Sequence, residues 1–360
     1  MERVVYILGA GFSAPLGIPT VANFIDKAKD LYFSSPATYP YFKATIDDID
    51  SLARTLTKFK SNLDDLEEVL SILQIESEFG GKRTLSRAKR FVRMITDVIE
   101  GAMQPLVWTP DLADWHERLV TDEWGLFLCF IGHLFTLHIE AGPSENARIE
   151  RPLLTPQHSY DIISLNYDCV LEIGATFIAT NSSNHLDSIG FARTKEEMTE
   201  PDDHRRKPML VKLHGCCSRG NIVAPTANKG LSKLKDQWQM AYSILSKANH
   251  IRVLGYSLPE GDAAVRYLLK SAVSKSQHLK SFDIICRDPT SKVEGRYNDF
   301  LNFAKKQFYG SNVTDYFDNM RPSPINAHND RSILLHHLQQ KHENFVMSAR
   351  LSPHYTATSL

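Results

Sequence analysis

Five short apolar runs, each rich in β-branched residues, are spread along the chain. They lack a clean alternation of apolar and polar positions, which is typical of strands buried on both faces of a parallel sheet. The runs are VVYIL (4–8), DIISL (161–165), LVKL (210–213), IRVL (251–254) and FDIIC (282–286). Helical segments at 231–248 and 261–275 are long enough to connect parallel neighbours. The pattern predicts an α/β fold, a Rossmann-like parallel sheet with helices on both faces.

Residues 31–155 interrupt this alternation. The stretch NLDDLEEVLSIL (62–73) places leucine and valine at helical spacing, with acidic residues near its start, where they suit the helix dipole. A basic amphipathic segment follows at 82–103. The apolar run at 125–139 is predicted as a buried helix, because about 20 residues are needed to span a bilayer. We therefore expect a large helical insertion over 31–155.

The remaining residues divide into two predicted parts. Residues 1–30 and 156–290 are expected to form the Rossmann-like domain, and residues 291–360 a helical extension with a polar end.

Composition and charge are those of an ordinary globular protein. Of 360 residues 42% are hydrophobic, and the formal net charge is -1, so neither direct nucleic-acid binding nor membrane attachment is expected. The five cysteines are scattered, with no secretory leader ahead of them and no C-x-x-C pair. Adjacent Cys216 and Cys217 are poorly placed for a tetrahedral site. We expect a cytoplasmic protein with neither a disulfide framework nor a metal.

Glycine or polar residues directly follow every predicted strand. The carboxyl ends of parallel strands meet at one edge of a sheet, where ligands of such folds bind. These residues are therefore expected to form one crevice. They are Gly9-Ala10-Gly11-Phe12-Ser13, Asn166-Tyr167-Asp168, His214-Gly215, Gly255-Tyr256-Ser257 and Arg287-Asp288.

The first of these loops reads G-x-G-x-x-A, an accepted variant of the dinucleotide fingerprint. Gly9 permits a tight turn, Gly11 lets the backbone approach a pyrophosphate, and the next helix start supplies N–H donors. Alone, the loop is also compatible with a plain tight turn. A dehydrogenase further needs a second strand ending in an acidic residue about 20 positions on. Residues 26–42 provide no such strand, which argues against hydride transfer.

Four motifs occur together in order: GAGFSAPLGIP (9–19), LNYD (165–168), KLHG (212–215) and GYSL (255–258). They resemble the sirtuin superfamily, most of all its divergent bacterial branch of NAD-hydrolysing defence proteins. The acidic stretch NLDDLEEVLSIL also resembles the helix that often follows the first motif in that branch.

The chain departs from the sirtuin deacetylases in two places. They carry Asp-Phe-Arg after GIP, where this sequence has Thr20, Val21 and Ala22. They also carry a four-cysteine zinc module after the HG motif, where this sequence has only Cys216 and Cys217. These departures favour cleavage of NAD+ with water as the acceptor over deacylation.

The resemblance implies a role for each motif residue. Asn166 would orient the attacking oxygen, Asp168 would hold the carboxamide, and His214, whose ordinary pKa of about 6.5 suits the task, would be the general base. The other implied contacts to the dinucleotide are Gly9, Ala10, Gly11, Phe12, Ser13, Pro19, Tyr167, Gly255, Tyr256, Ser257 and Arg287.

Structural roles remain open for several of these residues. Asn166 and Asp168 also suit a turn, His214 a satisfied strand end, and Ser257 a helix cap.

The expected function is that of an NAD+ glycohydrolase, with NAD+ as substrate, which releases nicotinamide and ADP-ribose or its cyclic form. The resemblance further implies an antiphage effector that is inactive until oligomerisation or a partner releases it. It implies a homo-oligomer, and for some members a HerA-type hexameric ATPase partner. Two alternatives stay open: a sensor that binds NAD+ or ADP-ribose without catalysis, and a protein deacylase.

Overall fold

The computed structural model describes residues 1–56, 58–59, 61–103, 123–140, 148–150, 157–181, 189–198, 206–224, 233–274, 276–318 and 337–351. Its strands are β1 (Glu2–Leu8), β2 (His138–Glu140), β3 (Arg148–Glu150), β4 (His158–Ser164), β5 (Leu210–Lys212), β6 (His250–Leu254), β7 (Ser281–Ile285) and β8 (Lys306–Tyr309). The helices up to the end of β4 are α1 (Ala10–Ser13), α2 (Phe24–Ser34), α3 (Phe42–Thr55), α4 (Leu66–Phe79), α5 (Gly81–Met103) and α6 (Glu123–Leu134). Those after β4 are α7 (Val170–Asn181), α8 (Lys235–Leu245), α9 (Ala263–Val273), α10 (Lys292–Phe300), α11 (Val313–Asp318) and α12 (His337–Leu351).

Six strands form one sheet in the order β5-β4-β1-β6-β7-β8. Every neighbouring pair in it is parallel. Numbered along the chain among themselves, the six strands run 3-2-1-4-5-6, the order of dinucleotide-binding Rossmann folds. This order reverses beside β1, and the carboxyl edge at that point is where such folds bind ligands.

The side chains of β1 alternate between two hydrophobic cores, one on each face of the sheet. Val4, Tyr6 and Leu8 belong to the core that contains α2 to α7. Val5 and Ile7 belong to the core that contains α8, α9 and α10. Because helices cover both faces, the central strand is apolar at consecutive positions. The predicted Rossmann-like parallel sheet with helices on both faces is confirmed.

All five predicted strands are present, and two other segments differ in part from the sequence analysis. The helix predicted over 125–139 ends at Leu134, and β2 follows it. Thr136 takes a left-handed φ of 56°, and the N–H of Leu137 donates to the carbonyl of Gly132 at 3.0 Å. This is the Schellman arrangement that terminates helices, usually with glycine at the left-handed position.

The second difference lies in the segment 291–360, predicted as a helical extension with a polar end, which contains α10, α11 and α12 and also a strand. Residues 306–309 form β8, an edge strand in which Tyr309 alone is buried. So short and half-exposed a strand lacks the apolar signal that revealed the other five. The predicted boundary between residues 155 and 156 and the predicted polar end of the chain lie outside the described residues.

The helix predicted from the acidic stretch 62–73 begins at Leu66. Asp65 is its N-cap, and its carboxylate accepts from the N–H groups of Glu67 and Glu68. The cap ends the loop before α4 and fixes where the first turn of the helix lies. In the described part of the chain, no helix combines the length and apolarity that crossing a membrane would require.

Candidate functional site

A cavity of about 730 Å³ opens at the carboxyl edge of the sheet, where the strand order reverses. This volume is in the range of small-molecule and cofactor sites. The loops after β1, β4, β6 and β7 line it, together with the start of α4 and the start of α11. Eleven predicted site residues lie on its wall: Gly9, Ala10, Gly11, Pro19, Asn166, Tyr167, Asp168, Gly255, Tyr256, Ser257 and Arg287.

The loops after β1 and β6 pack backbone against backbone. The N–H of Gly11 donates to the carbonyl of Gly255 at 2.9 Å. A Cβ on Gly255, whose φ is 64°, would lie 2.3 Å from the carbonyl carbon of Gly11. A Cβ on Gly9 would lie 2.6 Å from the Cα of Tyr256. The close approach that Gly11 permits in this structure is therefore to the second glycine loop, and its N–H is already used there.

Asn166 is held rigidly at the floor of the cavity. Its Nδ2 donates to the carbonyl of Gly9 at 3.0 Å and to Oγ of Ser13 at 3.2 Å. Both N–H groups of the amide are thereby used. Within the described part of the chain, Oδ1 is the amide atom left to accept a hydrogen bond from a ligand or a water. Ser13 and Asn166, which the sequence analysis placed in one crevice, are therefore in contact.

Asp168 has a structural role as well as a place on the cavity wall. Its Oδ1 accepts from the N–H of Val170 at 3.1 Å, at the first turn of α7, as the turn interpretation of this residue requires. Among the described residues, its second oxygen accepts no hydrogen bond and remains for a ligand. Tyr167 lies beside it with its hydroxyl buried, and that hydroxyl has no hydrogen-bond partner in the described ranges.

His214 lies just behind the cavity wall and is only 2% exposed. Its Nδ1 lies 3.1 Å from the carbonyl of Leu165, so Nδ1 carries the proton and Nε2 is the basic atom. Nε2 lies 3.7 Å from Oδ1 of Asp262, a residue that lines the cavity. Burial lowers the pKa of His214, and the nearby Asp262 carboxylate partly offsets this. The imidazole is therefore neutral at physiological pH.

Asp262 connects His214 to the cavity. Its Oδ2 accepts from the hydroxyl of Tyr256 at 2.7 Å. Burial raises the pKa of its carboxyl, which His214 and the Tyr256 hydroxyl partly lower again. The sequence analysis missed Asp262, although an aspartate directly before the apolar helix α9 was a visible signal for a helix start. Because Asp262 is the N-cap residue of α9, Ser257, five residues earlier, does not cap that helix.

Two predicted contacts are placed elsewhere. Phe12 is 1% exposed and lies in the core, with its ring centroid 5.1 Å from that of Phe127. Ser13 is also buried and reaches the cavity only through Asn166. The physical reason is that α1 is a single helical turn, so its last two residues point into the sheet–helix core rather than toward the carboxyl edge.

The insertion and the C-terminal segment also contribute to the cavity. Glu67 of α4 lies on its wall, and burial, together with the carboxylates of Asp262 and Asp65, raises the pKa of Glu67 to about 8. Asn312, Val313 and Thr314 close another side. The acidic helix was identified in the sequence, but no local pattern indicates which of its faces meets a ligand.

Three cysteines meet close to the loops that carry Asn166 and His214. The Sγ of Cys169 lies 3.2 Å from that of Cys216 and 3.8 Å from that of Cys217. The sequence analysis considered only the adjacent pair, because Cys169 is 47 residues away along the chain.

Residues 161–305 match the family model described as a SIR2-like domain. The match covers 145 of the 360 residues, so the likeness is to this segment of the chain. The matched segment contains the loops of Asn166, His214 and Gly255, while the first glycine loop precedes it.

Among solved structures, this chain is similar to sirtuins at low identity and with low TM-scores. One is Sir2 in complex with the inhibitor EX-527, 2′-O-acetyl-ADP-ribose and a deacetylated p53 peptide, with 15% identity, a TM-score of 0.34 and coverage of 88% of this chain and 91% of that one. Another is Sir2 bound to an acetylated peptide, with 13% identity, a TM-score of 0.35 and the same coverages. A third is a complex of Sir2, a p53 peptide and NAD+, with 14% identity, a TM-score of 0.32 and coverages of 88% and 90%. No curated protein matches the chain.

Proposed function

We propose that the protein is an NAD+ glycohydrolase that cleaves the nicotinamide–ribose bond and releases nicotinamide and ADP-ribose or its cyclic form. One observation carries the proposal: Asn166 lies on the wall of a cavity of about 730 Å³, beside the first glycine loop, and in the described part of the chain its amide oxygen is left to accept a hydrogen bond. An acceptor at this place suits a water that attacks the ribose.

The proposed reaction needs few protein groups. The N-glycosidic bond breaks, its electron pair leaves with nicotinamide, and the ribose carbon acquires oxocarbenium character. Oδ1 of Asn166 accepts a hydrogen bond from the attacking water and directs its oxygen at that carbon. As the C–O bond forms, the water passes one proton through Asp262, which lines the cavity, to Nε2 of His214, which lies 3.7 Å from Oδ1 of Asp262. The neutral His214 is suited to accept that proton.

Water as the acceptor is supported by the residues that replace the deacetylase Asp-Phe-Arg. Thr20, Val21 and Ala22 line the cavity and carry no charge. Two carboxyls on the cavity wall, Glu67 and Asp262, have a raised pKa and are suited to proton transfer.

By resemblance, the proposed biological role is NAD+ depletion in a bacterial antiphage defence system. We propose that the enzyme acts in the cytoplasm as a homo-oligomer and is released from inhibition by assembly or by a partner such as a HerA-type ATPase. Molar mass by light scattering, alone and with the candidate ATPase, tests this part. A monomer that no candidate partner changes would contradict it.

Nicotinamide release from NAD+ by the purified protein tests the activity. We expect Asn166→Ala and His214→Ala each to reduce the rate by about 100-fold or more, with exposed Asn298→Ala and His278→Ala as matched controls. Release that survives both site variants would overturn the assignment.

Two outcomes would support the alternatives. Calorimetric binding of NAD+ without turnover, under every assembly condition tried, would support the sensor. Nicotinamide release that depends on an acetylated peptide would support the deacylase.

A further inference from the structure

We propose that Cys169, Cys216 and Cys217 bind one thiophilic divalent cation of the zinc class. The three Sγ atoms lie within 4.8 Å of one another. All three residues are buried, between 2% and 8% exposed. This site is separate from the NAD+ cavity, since none of the three cysteines lines it. The proposal does not depend on the proposed function.

The spacing of the sulfur atoms suits a shared ion. Zinc–sulfur bonds of about 2.3 Å place the sulfurs of a tetrahedral site roughly 3.8 Å apart. The separations from Cys169, 3.2 Å to Cys216 and 3.8 Å to Cys217, need only small side-chain adjustments to reach that value. Oγ of Ser218 lies 3.2 Å from the Sγ of Cys216 and 3.4 Å from that of Cys169. This hydroxyl, or a water beside it, is placed to complete four ligands.

One ion pair, between Lys212 and Glu172, lies beside the cluster. The ammonium of Lys212 lies 3.6 Å from the Sγ of Cys216 and donates to the carbonyl of Asp168. It also pairs with Glu172 at 3.6 Å. A divalent cation that binds the sulfurs displaces the thiol protons, and its charge offsets that of the thiolates formed in this buried place.

The cluster joins the two loops on which the NAD+ site depends. Cys169 directly follows Asp168, and Cys216 directly follows the HG motif. The N–H of Cys217 donates to the carbonyl of Tyr167 at 2.9 Å, so the loops already touch there. A surface cleft lined by Glu172, Lys212 and Cys216 gives a cation access to the sulfurs. A bound ion would fix the Asn166 loop against the His214 loop.

The experiment measures metal binding directly, without an activity readout. The full-length protein is reduced, stripped with a chelator, loaded with Zn²⁺ and analysed for bound metal after gel filtration. We expect about one zinc per chain, lost in Cys169→Ala and in Cys216→Ala. Cys129→Ala, a buried core cysteine in α6 outside the cluster, should retain the metal.

A second measurement needs only the wild-type chain. Cd²⁺ should produce thiolate-to-metal charge-transfer absorption. When the protein is partly unfolded in the presence of an alkylating reagent and its peptides are weighed, Zn²⁺ should protect Cys169, Cys216 and Cys217. It should not protect Cys129 or Cys286. A reduced wild type that binds no Zn²⁺ and shows no Cd²⁺ absorption would overturn the proposal. Equal zinc content in soluble Cys169→Ala and wild type would also overturn it. So would a Cys169–Cys216 disulfide that persists after reduction and addition of Zn²⁺.

Discussion

The residue pair His214 and Asp262 shows how burial sets the chemistry of single groups. The hydrogen bond from Nδ1 to the carbonyl of Leu165 fixes the tautomer and leaves Nε2 as the base. Burial keeps the pKa of the imidazole below its ordinary value of 6.5, so the base form persists as the pH falls toward that value. The acid limb of NAD+ turnover is therefore expected below pH 6.5.

Asp262→Asn tests this pair. The carboxylate of Asp262 raises the pKa of His214, so its removal should lower that pKa and move the acid limb of kcat/KM to lower pH. Turnover should also fall, by roughly tenfold or more, because the proton path loses one group. The measurement is the pH profile of kcat/KM, with exposed Glu260→Gln as the control. An acid limb that stays in place or moves to higher pH would contradict the account.

Gly255→Ala tests the contact between the glycine loops. The substitution places a Cβ at a φ of 64° and 2.3 Å from the Gly11 backbone. We expect a loss of about 3 kcal/mol in the free energy of unfolding and weaker NAD+ binding. The control is Gly261→Ala, around which no described heavy atom lies within 4 Å of the added Cβ. Denaturant unfolding measures the stability of both variants, and calorimetry measures their NAD+ binding. Equal stabilities of the two variants would show that the loops do not constrain one another.

Sequence alone predicted eleven residues of the cavity wall and missed others for a definite reason. Residues that directly follow strands, such as Asn166 and Gly255, are placed by the topology of a parallel sheet. Phe12 was misplaced because α1 is only one turn long and turns the residue inward. Asp262 and Glu67 were missed because their position depends on how helices pack onto the sheet, which no local pattern states.

At the scale of elements, α4 connects the helical insertion to the site. Its N-cap Asp65 fixes the first turn, and Leu66 and Glu67 of that turn line the cavity. Strands buried on both faces and the amphipathic helices α4 and α5 could be predicted from the sequence, because burial leaves a periodic apolar pattern. The edge strand β8 has one buried residue and leaves no such pattern.

Asp65→Ala tests whether the cap of α4 positions the site. The free energy of unfolding should fall by about 1 kcal/mol because two backbone N–H groups lose their acceptor, and the KM for NAD+ should rise. Asp64→Ala, one position earlier and exposed, is the matched control. Thermal unfolding and steady-state kinetics supply the readouts. A change in stability with an unchanged KM would separate α4 from the site.

At the scale of the whole molecule, the C-terminal helix α12 is fastened to the sheet by buried polar groups. Arg252 of β6 is fully buried and donates to the hydroxyl of Tyr6 at 2.9 Å and to Gln339 of α12. Nε2 of His342 lies 3.4 Å from Oδ2 of Asp283 in β7. Burial raises the pKa of Asp283, but His342, Ser281 and Arg252 outweigh this and hold it below its ordinary value of 3.8.

Asp283→Ala should remove the carboxylate that offsets the buried Arg252. We expect a loss of about 3 kcal/mol in the free energy of unfolding at pH 7. Because the folded-state pKa is lowered, the stabilisation by Asp283 is present above pH 3.8 and disappears as the pH falls through the folded value. The difference between variant and wild type should therefore shrink in acid. Denaturant unfolding at several pH values measures it, with exposed Asp299→Ala as control; a constant difference would contradict this assignment.

The packing of α12 against the sheet and the cysteine cluster could not be predicted from the sequence, since both join residues far apart along the chain. Cys169 and Cys216 belong to different loops, and Arg252 meets Gln339 across 87 residues. Local periodicity specifies strands, helices and the sheet edge, whereas such meetings depend on the complete packing of the molecule.

The most direct test of the central claim compares nicotinamide release by the wild type and by Asn166→Ala at equal, calorimetrically verified NAD+ occupancy. The account predicts that the wild type, in its assembled state, releases nicotinamide and ADP-ribose or its cyclic form. It predicts that Asn166→Ala binds NAD+ but turns it over at least about 100-fold more slowly. Equal rates for the two proteins, at equal occupancy, would contradict it.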